Sequence, residues 1–131
     1  MSSINKLNRV ILVVEDVAET RDGIERLLKS DGYHVEVARH EADAIASARL
    51  FPPDLILVSL AGPALEVITV AGRIREGSET PQTVPVVVFC ILEADEGGEV
   101  AIGHNVHITH SDNFNQLRGL LARILDEVSH V

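Results

Sequence analysis

Three short strand-like runs, each built on consecutive apolar residues rich in valine, isoleucine and leucine, constrain the fold of this chain most strongly. They cover residues 10–14, 54–60, where Asp54 and Ser59 are the polar members, and 84–91. Continuous apolar runs of this length are typical of strands that are covered on both faces. Two weaker strand signals accompany them: residues 34–38 alternate in polarity, and residues 106–109 are short and resemble an edge strand. The sequence therefore predicts five strands, three of which lie inside a sheet.

Segments with apolar residues at helical spacing separate these strands. Helices are predicted over residues 17–29, 41–50, 64–75, 93–103 and 112–128. The fourth is the weakest, because Gly97 and Gly98 each cost about 1 kcal/mol relative to alanine. Alternation of strands and helices is typical of a parallel sheet with helices on both faces, joined by right-handed crossovers. We therefore predict an α/β fold, a doubly wound five-stranded parallel sheet.

Composition excludes several classes of function. The chain has 131 residues, a formal net charge of −9 and only 3% aromatic residues, which disfavours nucleic acid and anionic lipid as partners. No apolar span approaches the ~18 residues of a membrane helix, and no secretory signal precedes the first strand. One cysteine cannot form an internal disulfide. We expect a single cytoplasmic domain over 1–131, with its core at about 9–128 and no output domain.

The site can be placed from topology alone. In a parallel sheet of this kind, ligands bind at the carboxyl ends of the strands, near the point where strand order reverses. Six residues lie at or just beyond four predicted strand ends: Glu15, Asp16, Ser59, Ala61, Cys90 and His110.

Taken in order, these segments resemble the receiver domain of bacterial response regulators. The resemblance is carried by residues 11–16, 53–58, 62–63, 84–88 and 103–111, and it spans nearly the whole chain. It implies a flavodoxin-like (βα)5 fold with strand order 2-1-3-4-5. It also implies a non-enzymatic signalling role in a two-component phosphorelay.

The resemblance further implies a chemistry. In that family an aspartate that ends the third strand takes a phosphoryl group from a histidine kinase. An acidic pair, this aspartate and a backbone carbonyl bind magnesium, while a hydroxyl residue ends the fourth strand and a lysine ends the fifth. In this chain only the acidic pair is kept, as Glu15 and Asp16. Ser59 stands at the aspartate position, Cys90 at the hydroxyl position and His110 at the lysine position, and His107 stands where an aromatic residue often switches rotamer.

Each replacement weakens the chemistry. A serine hydroxyl is neutral and poorly nucleophilic without a base, and losing the aspartate removes a hard oxygen ligand for Mg²⁺. A thiol is a weak hydrogen-bond donor, and histidine is largely neutral at pH 7. We therefore predict no catalytic residues and a degenerate phosphorylation pocket made of Glu15, Asp16, Ser59, Cys90 and His110.

The expected function is phosphorylation-independent docking to a signalling protein, either a histidine kinase or an output protein, or self-association. No cofactor is expected. Residual Mg²⁺ binding would be weak and would use Glu15, Asp16 and the backbone carbonyl of Ala61. The alternative is a working phosphoreceiver that is modified at Asp16 or Ser59. Asp54 is a poor acceptor, since it begins its strand, roughly 17 Å from the far end.

Other uses of these residues remain open at this point. Cys90 could be a redox switch or a small apolar filler, and a protonated His110 could neutralise the acidic pair. His104, His107 and His110 suggest a zinc site, but residues three apart on a strand point to opposite faces. A flavodoxin-like cofactor binder is disfavoured, because residues 15–19 carry carboxylates where a phosphate cradle would be needed. Helix 93–103 belongs to the output face that the resemblance implies. Gly97-Gly98 could therefore alter partner choice by shortening this helix, or could form a flexible loop with no role.

Overall fold

The computed structural model describes residues 9–89, 99–101, 105–109 and 114–129. The strands in these ranges are β1 (Val10–Glu15), β2 (His34–Ala38), β3 (Leu55–Ser59), β4 (Val86–Phe89), β5 (Glu99–Ala101) and β6 (Val106–Thr109). The helices in these ranges are α1 (Ala18–Ser30), α2 (Glu41–Leu50), α3 (Ala64–Gly77) and α4 (Phe114–Ser129).

The strands form one sheet in the order β2-β1-β3-β4-β6-β5. Strands β1 to β4 and β6 are parallel to one another. With β6 as the fifth parallel strand, the predicted order 2-1-3-4-5 and the flavodoxin-like fold are confirmed. The central strands explain this outcome, because residues 11–14 of β1 and 55–58 of β3 are at most 1% exposed. Runs without a polar residue fit a position that helices cover on both faces.

The segment before β6 departs from the prediction. Residues 99–101, expected within a helix over 93–103, form β5 and pair antiparallel with β6, with Val100 opposite Ile108. The helix prediction is therefore wrong at these residues, and residues 90–98 and 102–104 lie outside the described part of the chain. Pairing with the sheet edge satisfies the backbone of β5, whereas two preceding glycines lower the propensity for a helix.

The core lies on both faces of the sheet. On one face Ile11 and Val13 pack with Ile24 of α1 and Leu121 of α4. On the other face Leu12 and Val14 pack with the small residues of α2 and the apolar stripe of α3, namely Ala44, Ala48, Val67, Ala71 and Ile74. Since both faces are filled, the residues at the strand ends are what this sheet offers for function.

Candidate functional site

Two of the predicted site residues meet at the carboxyl edge of the sheet. Glu15 is the last residue of β1 and Ser59 is the last residue of β3. They are direct partners in the parallel register of the two strands. Both are buried, with 4% of Glu15 and 6% of Ser59 exposed. The structure thus places a carboxyl group and a hydroxyl group side by side in a setting largely shielded from water.

The Glu15 side chain is held by donors from this chain. Ser59 Oγ donates to Glu15 Oε1 at 2.8 Å, and the backbone N–H of Val17 donates to Oε2 at 3.0 Å. Arg21 Nη1 on α1 donates to the main-chain carbonyl of Glu15 at 3.0 Å. Both carboxyl oxygens and the carbonyl of Glu15 are therefore engaged, which fixes the end of β1 against β3 and α1.

Burial dominates the protonation of this carboxyl group. Loss of water around Glu15 raises its pKa above the ordinary value. The hydrogen bonds from Val17 and Ser59 favour the ionised form and oppose that rise, while the neighbouring Asp16 carboxyl adds to it. The net result is a raised pKa, so Glu15 takes up a proton more readily in the folded chain than in the unfolded chain.

This raised pKa predicts a pH dependence of stability. Between the ordinary carboxyl pKa and the raised folded value, the folded state binds more protons than the unfolded state. The contribution of Glu15 is then fully present below the unfolded pKa and is lost as pH rises through the folded pKa. We expect the free energy of unfolding, measured in urea at a series of pH values, to fall across this window.

The same urea series on two variants isolates Glu15. Glu15→Gln is expected to remove the fall from that window. Glu19→Gln, an exposed site four residues later, is expected to keep it. An unchanged slope in Glu15→Gln would contradict the assignment of the pH dependence to this buried carboxyl.

In the part of the chain that the structure describes, the other oxygen donors at this edge do not complete a magnesium site. Asp16 and Ala61 are exposed in the loops after β1 and β3, whereas both oxygens of Glu15 accept bonds from protein donors. Mg²⁺ requires several hard oxygen ligands in octahedral geometry, and Ser59 contributes a neutral hydroxyl where a third carboxylate would be needed. Among the residues that the structure describes, no group of three His, Cys, Asp or Glu side chains could hold a metal ion. Within the described ranges, Glu15, Asp16 and the Ala61 carbonyl do not by themselves supply an octahedral set of hard oxygen ligands.

The other predicted site residues are placed in part. His107 lies on β6 between Val87 of β4 and Ala101 of β5, and its Nε2 contacts Asn105 Oδ1 at 3.3 Å. Cys90, His104 and His110 lie outside the described ranges. The predictions made for them, including the neutralising role of His110, stay predictions, as does the output role of Gly97-Gly98.

Two contacts at this edge were not predicted from the sequence. Arg21 is half-buried and reaches back from α1 to the end of β1. The other contact is the N–H of Val17, which donates to the Glu15 carboxyl group. Asp54 lies at the opposite edge, where it accepts the N–H of Val10 at 2.7 Å and pairs with Arg9 at 3.6 Å. This position, before β3, separates Asp54 from the Glu15–Ser59 pair.

A family model and a relative of known sequence both match most of this chain. The family model described as "Response regulator receiver domain" matches residues 11–109. An uncharacterized 14.6 kDa protein of Leptolyngbya boryana is 29% identical over 101 residues, which is 76% of each chain.

Solved structures show the same fold at low identity. The receiver domain of a histidine kinase from Syntrophus aciditrophicus has a TM-score of 0.72 at 19% identity, covering 94% of both chains. A CheY-like receiver domain from Methylobacillus flagellatus gives 0.70 at 17% identity, covering 89% of this chain and 98% of that chain. Vibrio cholerae CheY4 gives a TM-score of 0.69 at 19% identity, with the same coverage.

No helix within the described ranges combines the length and the hydrophobicity that a membrane-spanning segment requires.

Proposed function

This chain belongs to the response regulator receiver domain family of two-component signalling, and we propose that it is a phosphorylation-independent protein–protein interaction module. The proposal is that the chain keeps the receiver fold as a docking scaffold and carries out no phosphoryl transfer. Its partner would be a histidine kinase, an output protein or a second copy of the chain, in the cytoplasm.

One observation carries this proposal: β3 ends in Ser59, and the Ser59 hydroxyl donates to the buried carboxyl of Glu15 at 2.8 Å. Phosphoryl transfer to a carboxylate needs an ionised acceptor that is open to the donor. Ser59 is neutral and 6% exposed, and its proton is directed at Glu15. Supporting this, the described donors do not complete a Mg²⁺ site, so a bound phosphoryl group would face Glu15 and Asp16 without the cation that normally offsets their charge.

The same contact favours a second candidate, a receiver modified at Ser59. Glu15 Oε1 is placed to accept the hydroxyl proton while Ser59 Oγ attacks the phosphorus of an acyl phosphate. The bond from phosphorus to the acyl oxygen would break, a carboxylate would leave, and a phosphate monoester would form on Ser59. Burial of both groups opposes this route. Asp16, which is exposed, is the other candidate acceptor in this alternative.

Incubation of the full chain with acetyl phosphate and Mg²⁺, followed by intact mass measurement, tests the proposal. A receiver that carries the aspartate serves as the positive control. We expect no phosphoryl adduct on this chain under conditions that modify the control. An acid-labile adduct that disappears in Asp16→Asn, or an acid-stable adduct that disappears in Ser59→Ala, would overturn the proposal and favour the second candidate.

A further inference from the structure

We infer that the carboxyl edge of β1 and β3 binds a protein segment that combines lysine or arginine with apolar side chains. We call this surface the acidic edge and define it by Asp16, Val17, Glu19, Leu65 and Glu66. The inference rests on the proposed function, because it names the docking surface that a phosphorylation-independent module would use.

The acidic edge brings two loops together. Glu15 and Ser59 are register partners at the ends of neighbouring parallel strands, so the residues that follow each strand emerge side by side. Asp16 and Val17 follow β1 and lead into α1, while residues 60–63 follow β3 and lead into α3. A methyl group on Gly62 would contact Glu66 Oε2 at 3.7 Å. The Glu66 carboxylate therefore lies against the loop and not out along α3.

Two large apolar side chains stand exposed on this edge. Val17 is 51% exposed and Leu65 is 79% exposed. Val17 directly precedes α1 and Leu65 lies in the first turn of α3, and both helices bury other apolar residues. A single exposed apolar side chain is normal for a folded domain. Here one follows each of two neighbouring strands, beyond Glu15 and Ser59, and together they supply the apolar component of a docking site.

Carboxylates outnumber cationic groups on this edge. Residues 16–20 and 60–69 contain Asp16, Glu19 and Glu66 and no lysine or arginine. None of these three forms an ion pair with a described residue, whereas acidic groups elsewhere do, such as Glu41 with Arg73 and Asp31 with Arg118. Arg21, which donates to the carbonyl of Glu15, brings one positive charge to this edge against these three carboxylates. The remaining excess of negative charge selects for a basic partner and speeds its approach.

The negative charge of the acidic edge favours a basic protein segment over a second copy of the chain, nucleic acid or anionic lipid. A second copy of the chain, with a net charge of −9, would present acidic residues against acidic residues, which disfavours close approach. Nucleic acid and anionic lipid carry the same sign of charge and are disfavoured for the same reason. A basic segment of a partner protein with apolar anchors matches both the carboxylates and the exposed Val17 and Leu65.

The test titrates the full chain, by NMR and without Mg²⁺ or phosphoryl donor, with a synthetic amphipathic helix of leucine and lysine. The same helix with glutamate in place of lysine is the charge control. We expect saturable amide shifts concentrated in residues 16–20 and 60–69, and no binding of the glutamate helix. No binding of the lysine helix, or shifts spread evenly over the surface, would overturn the inference.

Matched variants separate a defined surface from general attraction. Leu65→Ser is expected to weaken binding about tenfold, while Leu50→Ser, equally exposed at 74% on α2, is expected to leave it unchanged. Glu66→Gln is expected to weaken binding, and Glu76→Gln at the other end of α3 is not. Equal effects within either pair would overturn the inference. A phosphoryl adduct in the acetyl phosphate experiment would sink the proposed function alone, because this titration uses no phosphoryl donor.

Discussion

Ser59→Asp is expected to lower the free energy of unfolding by about 3–5 kcal/mol in the absence of divalent cations. The introduced carboxylate would lie where Ser59 Oγ now sits, 2.8 Å from Glu15 Oε1. Two carboxylates at this distance cannot both ionise without a large cost, because the pair is shielded from water. The Ser59 hydroxyl that now donates to Glu15 would be lost, and a hydrogen bond between the two side chains would form again only after one carboxyl group took up a proton.

Magnesium is expected to restore much of the lost stability in this variant. A third carboxylate beside Glu15 and Asp16 would give the hard oxygen set that the ion prefers. Binding only to the folded state would then stabilise the variant by about 2.7 kcal/mol at a hundredfold excess over Kd. Urea unfolding with MgCl₂ and with EDTA measures the difference, and the wild-type chain is expected to show none.

Ser59→Asn is the matched control, since it is close to aspartate in size and carries no charge. We expect its stability to be the same with MgCl₂ and with EDTA. If Ser59→Asp were as stable as the wild type in EDTA, or if Mg²⁺ stabilised Ser59→Asn equally, the electrostatic account of the Glu15–Ser59 pair would be wrong.

The strands that position this pair could be predicted because their signal is local. Residues 10–14 and 55–58 are continuously apolar, and such runs are costly anywhere except between two layers of helices. Glu15 ends the first run abruptly, and a charged residue directly after a buried strand marks the strand end. The meeting of Glu15 and Ser59 at one edge then follows from parallel pairing.

The antiparallel strand β5 could not be predicted in the same way. Its three residues carry no periodicity, and the alternation of strands and helices elsewhere in the chain predicted a helix there. What decides its conformation is pairing with β6, where Glu99 is opposite Thr109 and Ala101 is opposite His107. The hydrogen bonds of a strand pair are a tertiary property that no window of local sequence contains.

Side-chain direction limited what could be predicted at the site. Glu15 and Ser59 were expected at the same edge, but the hydrogen bond between them depends on rotamers that packing selects. Arginine is hard to place for a related reason, because its long apolar stem can be buried while its guanidinium reaches a distant acceptor. Arg21 shows this at the site, and Arg75 shows it in the body of the fold, where it is only 7% exposed.

Arg75→Ala is expected to lower the free energy of unfolding by about 3 kcal/mol. Arg75 Nη2 on α3 donates to the carbonyl of Val84 at 2.8 Å and to that of Asn105 at 3.3 Å. These carbonyls belong to the segments that enter β4 and β6, and the N–H of Val86 also donates to Asn105 at 3.0 Å. Removing the guanidinium leaves the carbonyls without this donor at the start of the β4–β6 pair.

Burial makes this charge expensive as well as useful. Loss of water lowers the pKa of the Arg75 guanidinium from its usual value and so disfavours the charged form. The hydrogen bonds to the carbonyl oxygens of Val84 and Asn105 oppose this effect and help to retain the charge. Arg75→Lys keeps the charge, but an ammonium group is more strongly hydrated than a guanidinium group and costs more to bury at this site. We expect its stability to lie between those of the wild type and Arg75→Ala, in urea unfolding with unchanged m-values.

Arg73, two residues earlier on the same helix, is the matched control. Its guanidinium is exposed and pairs with Glu41 of α2 at 2.9 Å, and an exposed ion pair of this kind contributes little to stability. Arg73→Ala is therefore expected to unfold close to the wild type, and amide exchange at Val86 and Val106 is expected to accelerate in Arg75→Ala alone. If Arg73→Ala destabilised the chain as much as Arg75→Ala, the loss of stability would be due to the removal of surface charge from α3 and not to the loss of the buried hydrogen bonds to the segments that enter β4 and β6.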